Sequence, residues 1–123
     1  MRKKILIVED EPHLRLLYQH ELAEFGYDVI LVENGEKAIT RMQERNPDLV
    51  VLDIQLPGKD GLTILSEARV LFPSCPIILY TAFSSFQDNF LSWGADAYLV
   101  KSSDLAELKN KIRELLSSQE ISY

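Results

Sequence analysis

The sequence predicts an open α/β sandwich, a parallel five-stranded sheet with helices packed on its faces. Three observations carry that prediction. Five short apolar runs alternate with stretches of helical periodicity, and nearly continuous Ile, Leu and Val over four or five residues reads as a strand buried on both faces. The alternation requires right-handed crossovers between parallel strands, and 123 residues are about half of what a closed eightfold barrel needs. Four of the runs stop at a polar residue capable of chemistry: Val8 at Glu9-Asp10, Leu52 at Asp53, Tyr80 at Thr81 and Val100 at Lys101. In such sheets the ligand site lies beyond the carboxyl ends of the strands.

The elements follow in order. The first strand covers about Lys4 to Val8. A helix opens at Glu11-Pro12, where proline is tolerated in the first turn; Leu14, Leu17, Leu22 and Phe25 recur at helical spacing and Gly26 supplies the stop. Asp28 to Val32 is the second strand, and Glu33-Asn34-Gly35 turns it into a helix carrying Ala38, Ile39 and Met42. Asn46-Pro47 breaks that helix before the third strand, Leu49 to Leu52. Pro57-Gly58-Lys59-Asp60-Gly61 is a loop, followed by a helix marked by Leu62, Leu65, Ala68 and Leu71. Phe72-Pro73-Ser74-Cys75-Pro76 feeds the fourth strand, Ile77 to Tyr80. A short helix is expected next, capped by Ser84 or Ser85, with Phe86, Phe90 and Trp93 on one stripe and Gly94 at its close. After the fifth strand, Ala97 to Val100, a last helix holds Leu105, Leu108, Ile112, Leu115 and Leu116, with Asp104 and Glu107 spaced as a capping box. The tail from Ser117 to Tyr123 lacks an apolar stripe and is expected to fray, with 118–123 the frayed end of a single domain spanning 1–123.

Composition narrows the function. A net charge of −6 argues against nonspecific nucleic-acid binding, which needs Lys and Arg to neutralise phosphates, and favours a cation or basic partners. Cys75 is the only cysteine, so an intramolecular disulfide is excluded, and its place between prolines before an apolar run suggests a buried, inert thiol. The basic start, Met1-Arg2-Lys3-Lys4, precedes a run too short for a signal peptide or a membrane span. A cytoplasmic protein without membrane insertion is expected.

The strand ends carry the chemistry. Glu9 and Asp10 are neighbouring acids whose mutual repulsion is costly without a compensating cation. With Asp53 they form an all-oxygen set suited to Mg²⁺, although Glu9, Asp10 and Glu11 would equally serve as a solvated cap of the next helix. Asp53 is poorly explained as a cap, since no helix begins until about Gly61. Beside a metal, an aspartate can act as a nucleophile toward phosphorus and form an acyl phosphate, a reaction that needs positive charge and hydrogen-bond donors on the phosphoryl oxygens. Thr81 and Lys101 are residues of those types. Each alone is commonly an ordinary strand-end residue; their value lies in closing different strands at the same edge.

These residues and their spacing resemble the receiver domain of two-component response regulators. The motifs are Ile5-Leu6-Ile7-Val8-Glu9-Asp10-Glu11, Leu52-Asp53-Ile54-Gln55-Leu56-Pro57-Gly58-Lys59-Asp60-Gly61, Thr81-Ala82, Gly94-Ala95-Asp96-Ala97-Tyr98 and Lys101, and the resemblance spans Lys3 to Ser117. It implies a flavodoxin-like doubly wound sheet of strand order 2-1-3-4-5 with five flanking helices. By position, Asp53 resembles the phosphoacceptor. Glu9 and Asp10 resemble the acidic pair that holds Mg²⁺, Asp10 directly and Glu9 through water, and the main-chain carbonyl of Gln55 completes the protein's ligands. Thr81 is similar to the switch hydroxyl, Lys101 to the amine that pairs with a phosphoryl oxygen, and Tyr98 to the aromatic switch residue whose ring turns inward. The implied activity is a signalling switch. A sensor histidine kinase or histidine phosphotransfer protein donates the phosphoryl group to Asp53, and the face built by the short helix after Thr81, the last strand and the last helix changes to control a downstream protein or pair with a second copy.

Two departures from the family stand out. Ser102 replaces the usual proline, whose peptide is commonly cis in the family. A cis bond before a non-proline residue costs about 3 kcal/mol, so a trans Lys101–Ser102 bond is expected, with Ser102 or Ser103 helping to cap the last helix. A rearranged loop there would carry Lys101 away from the site. Phe90 and Trp93 replace small residues and are expected to fill the core side of their helix, the alternative being an exposed aromatic patch. Gln55 and Phe83 flank the water approach to Asp53, positions that tune the phosphoryl lifetime in the family. Two rival functions remain at this level: an interaction module that keeps the fold without phosphorylation, and a Mg²⁺-dependent phosphatase using Asp53 on external substrates. Gln55 stands where the phosphatase would need a second acid, and no glycine-rich loop follows the first strand to bind a nucleotide or flavin.

Overall fold

Strands made of consecutive aliphatic residues put apolar groups on both sides of the backbone, so each must be covered twice. The computed structural model, which describes residues 2–82 and 93–120 apart from the side chains of 118–120, meets that requirement with two helical layers. Strands β1 (Lys4–Val8), β2 (Asp28–Val32), β3 (Leu49–Leu52), β4 (Ile77–Thr81) and β5 (Ala97–Val100) form one parallel sheet in the order β2-β1-β3-β4-β5. On one face Leu6, Val50, Leu52 and Leu79 pack against α2 (Gly35–Arg45) and α3 (Gly61–Leu71) through Ala38, Met42, Ile64, Leu65 and Ala68. On the other, Ile5, Ile7, Val51 and Ile78 meet α1 (Pro12–Glu24) and α4 (Ala106–Glu120) through Tyr18, Leu22, Leu108 and Ile112.

Register aligns the strand ends. Val8 pairs with Leu52, Leu52 with Leu79 and Thr81 with Val100. The residues just beyond them therefore emerge at one edge, although up to 92 positions separate Glu9 from Lys101 in the chain.

The helix boundaries follow from local chemistry. Glu11 caps α1 by accepting from the amide of Leu14, with Pro12 in the first turn. Asn34 caps α2 through the amide of Lys37, and Asn46 ends that helix in the left-handed conformation at φ 48°. Asp60 caps α3 through the amide of Thr63. At the last helix Ser102 Oγ accepts from the amide of Asp104, and the Asp104 carboxylate accepts from the amide of Ala106. The Asp104–Glu107 capping box expected from the sequence is replaced by a tighter turn, in which the Asp104 carboxylate takes the amide two residues on instead of that of Glu107.

Three further sequence expectations are corrected. The core stripe of α1 is Tyr18 and Leu22, with Leu14 partly buried, whereas Leu17 and Phe25 are exposed; the phenol ring is wide enough to fill the space over Tyr80, leaving the Leu17 direction to solvent. Leu71 is likewise exposed, because α3 turns Ile64, Leu65 and Ala68 inward. The last helix continues to Glu120, beyond Leu116, where its apolar stripe ends. Four helices lie among the described residues. The short fifth one expected around Ser84, Ser85, Phe86 and Phe90, together with Phe83 and the end of the tail, lies outside them. Trp93 is described, and is half-buried against the core face shared with α3.

At the opposite edge from the strand ends, one side chain joins three segments. Arg69, on α3, donates from Nε to the carbonyl of Gly94 at 2.8 Å and from Nη1 to those of Pro73 and Cys75 at 3.1 and 3.0 Å. Its Nη2 meets Asp96 Oδ2 at 2.9 Å, and the same oxygen accepts from the amide of Ile77 at 2.7 Å. No helix among the described residues is long and apolar enough to cross a membrane.

Two measurements check this packing. A Cβ at residue 61 would lie 2.0 Å from the carbonyl oxygen of Asp53, while one at Gly26, where φ is +92°, meets nothing within 4 Å. Gly61→Ala should cost about 3 kcal/mol in urea denaturation by overpacking, against about 1 kcal/mol for Gly26→Ala, which suffers only backbone strain. The Cys75 thiol is pushed up to about 11 by burial. Alkylation at pH 8 should therefore run about a hundredfold slower in the folded than in the unfolded chain. Because the fold prefers the neutral thiol, this group should erode stability as pH rises from about 8.5, its unfolded value, toward 11.

Candidate functional site

The site is built from the sheet edge upward. A strand that leaves the core at Val8 delivers the next side chain while still buried, and Glu9 is 2% exposed; Asp53, after Leu52, is 6% exposed. Asp10, one residue further on, is exposed. Oxygens of the three carboxylates lie within 4.8 Å of one another. Lys101, at the end of β5, places its Nζ 2.7 Å from Asp53 Oδ2 and 2.5 Å from Glu9 Oε1. The remaining carboxylate oxygens are also occupied, Asp53 Oδ1 by the amide of Gln55 at 3.2 Å and Glu9 Oε2 by the amide of Glu11 at 3.2 Å. Thr81 is fully buried at the end of β4, and Tyr98 is buried within the α2–α3 face of the core.

Electrostatics explain why these groups tolerate burial. Desolvation pushes the Glu9 carboxyl above the ordinary glutamate range, while the Lys101 amine pulls it back. Burial alone would lower the Lys101 amine, but its hydrogen bonds to Asp53 and Glu9 outweigh that and hold it above the usual lysine value. Three carboxylates against one ammonium leave a net charge of −2 in the cluster. A hard divalent cation with oxygen ligands has the charge and chemistry that balance such a set, and an octahedral Mg²⁺ that retains waters needs only a few protein ligands. The donor set therefore fits that ion.

The cleft over these residues encloses about 660 Å³ and is lined by Glu9, Asp10, Asp53, Gln55, Thr81 and Lys101, with Leu14, Leu56, Pro57 and Leu62 forming an apolar rim. All the strand-end residues singled out from the sequence, Glu9, Asp10, Asp53, Thr81 and Lys101, thus share one cleft. The structure also separates the neighbouring acids: Glu11 caps α1, while Glu9 turns inward to Lys101. No peptide bond among the described residues is cis, so Lys101–Ser102 is trans, and the amine reaches the site across that bond. Sequence reasoning missed Arg15. From α1 its Nη1 donates to the main-chain carbonyls of Glu9 and Asp10, both at 2.9 Å, and so fixes the turn that presents the acidic pair. A lone arginine on a helix carries no signal for such a contact.

Residues 5–113 match the model of the response regulator receiver domain family. The chain is 37% identical over 123 residues to the alkaline phosphatase synthesis transcriptional regulatory protein PhoP of Bacillus subtilis, covering 98% of this chain and 51% of that one. It therefore spans about half the length of that curated relative. Among solved structures it is similar to the response regulator TrrA of Thermotoga maritima in complex with Mg²⁺-BeF, with a TM-score of 0.87, 45% identity and coverage of 92% of this chain and 98% of that one. A structure of the histidine kinase ThkA in complex with TrrA matches with a TM-score of 0.86, 46% identity and coverage of 93% and 98%.

Removing the shared ammonium tests the electrostatic account. Lys101→Met should cost about 3 kcal/mol of stability at pH 7 without added metal, because two buried carboxylates lose their partner. The deficit should narrow as pH falls toward 5. A carboxyl whose folded pKa is raised, as at Glu9, binds its proton more tightly in the native state, so protonation then favours the fold. Denaturant titrations at the two pH values measure both effects.

Proposed function

The chain belongs to the response regulator receiver domain family, and from that premise we propose that residues 1–123 act as one cytoplasmic receiver domain switched by phosphorylation of Asp53. The carrying observation is the Asp53 carboxylate, buried at the floor of an open cleft with the Lys101 amine 2.7 Å away. The phosphoryl donor is a phosphohistidine on a sensor kinase or phosphotransfer protein. An Asp53 oxygen attacks phosphorus, the P–N bond breaks as the new P–O bond forms, and its electron pair stays on the ring nitrogen, so that a donor ring protonated at its other nitrogen leaves as neutral imidazole.

Asp10, Asp53 and the main-chain carbonyl of Gln55, with Glu9 acting through water, would hold Mg²⁺, which would supply charge neutralisation for the transferring group. The Lys101 ammonium exchanges its carboxylate bond for a phosphoryl oxygen, and the Thr81 hydroxyl takes another. Tyr98, on the strand beside Thr81, follows that movement, and the changed face signals to a downstream protein rather than directly to nucleic acid. The chain thus catalyses only its own phosphorylation and dephosphorylation.

Intact mass spectrometry after incubation with Mg²⁺ and a small-molecule phosphodonor tests this function. The wild-type chain should gain one phosphoryl group and Asp53→Ala none. No gain in the wild type would leave an interaction module, and sustained release of phosphate from unrelated phosphomonoesters would favour a phosphatase.

A further inference from the structure

Between Val8 and Glu11 the chain passes from a strand to a helix, and two of its carbonyls belong to neither. The amide of Glu9 still donates to Val32 on β2 at 3.0 Å, and the carbonyl of Val8 still accepts from Asp53 at 3.3 Å. Helical bonding starts at Glu11, whose carbonyl takes the amide of Arg15 at 3.0 Å. The carbonyls of Glu9 and Asp10 lie in the gap, and main-chain carbonyls leaving a sheet need partners. Both accept from one atom, Nη1 of Arg15, at 2.9 Å each.

The two peptide units held in this way are those on either side of the Asp10 Cα. Each peptide is planar, so fixing its carbonyl fixes the plane, and the two bonds together restrain both soft dihedrals of Asp10. The direction of its side chain is set with them. The neighbouring acids are thus held by different means. The Glu9 carboxylate is bound directly, by Lys101 and by the amide of Glu11, whereas Asp10, exposed in the lining of the cleft, is steered through its main chain. Arg15 is a firm base for this. It is half-buried, and Tyr18, three residues on, anchors α1 in the core.

We propose that Arg15 is a positioning residue for Mg²⁺, presetting the Asp10 backbone so that the arriving cation does not have to order it. Ordering a backbone at the moment of binding costs affinity, and a preset one avoids that cost. The charge of Arg15 acts in the opposite direction, because a guanidinium beside the acids repels a second cation. Positioning and charge therefore predict effects of opposite sign when the arginine is removed. This role rests on the reading of Glu9, Asp10 and Asp53 as a Mg²⁺ site.

Calorimetric titration of Mg²⁺ into the unphosphorylated chain, at one fixed ionic strength, reads that sign without any phosphoryl transfer. Arg15→Met removes the charge and the donors while keeping an unbranched, helix-favouring side chain. It should weaken Mg²⁺ binding about fivefold, the scale set by ordering the backbone of one residue. Arg15→Lys keeps the charge and offers an ammonium to the same carbonyls, and should recover part of the lost affinity. Binding by Arg15→Met as tight as in the wild type or tighter would overturn the positioning role and leave the metal site standing. So would an Arg15→Lys chain that binds no better than Arg15→Met. If the wild-type chain bound no Mg²⁺, the metal site itself would fall and the role of Arg15 with it.

Discussion

Two buried carboxylates sharing one ammonium organise this molecule. Glu9 and Asp53 sit where water is scarce, and Lys101 bonds to both. An isolated buried charge is strongly destabilising, while a paired one is tolerable only when its other lone pairs are also met. The remaining oxygens of Glu9 and Asp53 do find main-chain amides, those of Glu11 and Gln55. That accounting places demands on three strands at once, because β1, β3 and β5 must end level for the three side chains to touch. The parallel register, with Val8 beside Leu52 and Leu52 beside Leu79, supplies the alignment.

The same cluster remains one cation short. Its net negative charge is a cost the resting fold bears, and it marks the edge as a place for a divalent ion and an anionic group rather than for apolar packing. On the proposed function, stability and signalling draw on the same residues. The lysine that offsets the acids in the unmodified chain is the one proposed to meet an added phosphoryl oxygen, so on that reading no new cation has to be recruited from elsewhere in the protein.

Much of this was legible in the sequence, for a physical reason. A parallel strand buried on both faces is written as an unbroken aliphatic run, and the first polar residue after it is necessarily near the carboxyl edge. Glu9, Asp53, Thr81 and Lys101 could be read that way, and the start of the first helix could be read from Glu11-Pro12. Tyr18 and Arg15 could not. Their roles depend on which helix crosses which strand and at what angle: an aromatic ring filling a gap that Leu17 was expected to fill, and a guanidinium reaching back to two carbonyls. Such contacts leave no periodicity. The trans peptide at Ser102 was foreseeable from its energy alone, but not the means by which the loop still delivers its lysine.

The bracket around Arg69 has a bearing on all of this. One guanidinium gathers the end of α3, the entry to β4 and the turn into β5, and Asp96 adds the first amide of β4 to the same knot. These segments therefore share one set of hydrogen bonds, so opening one of them breaks contacts made by the others. The two strands that carry Thr81 and Lys101 are thereby moored at their amino ends. A rearrangement at their carboxyl ends that left these bonds intact would resemble the flexing of beams fixed at one end rather than the sliding of strands past each other.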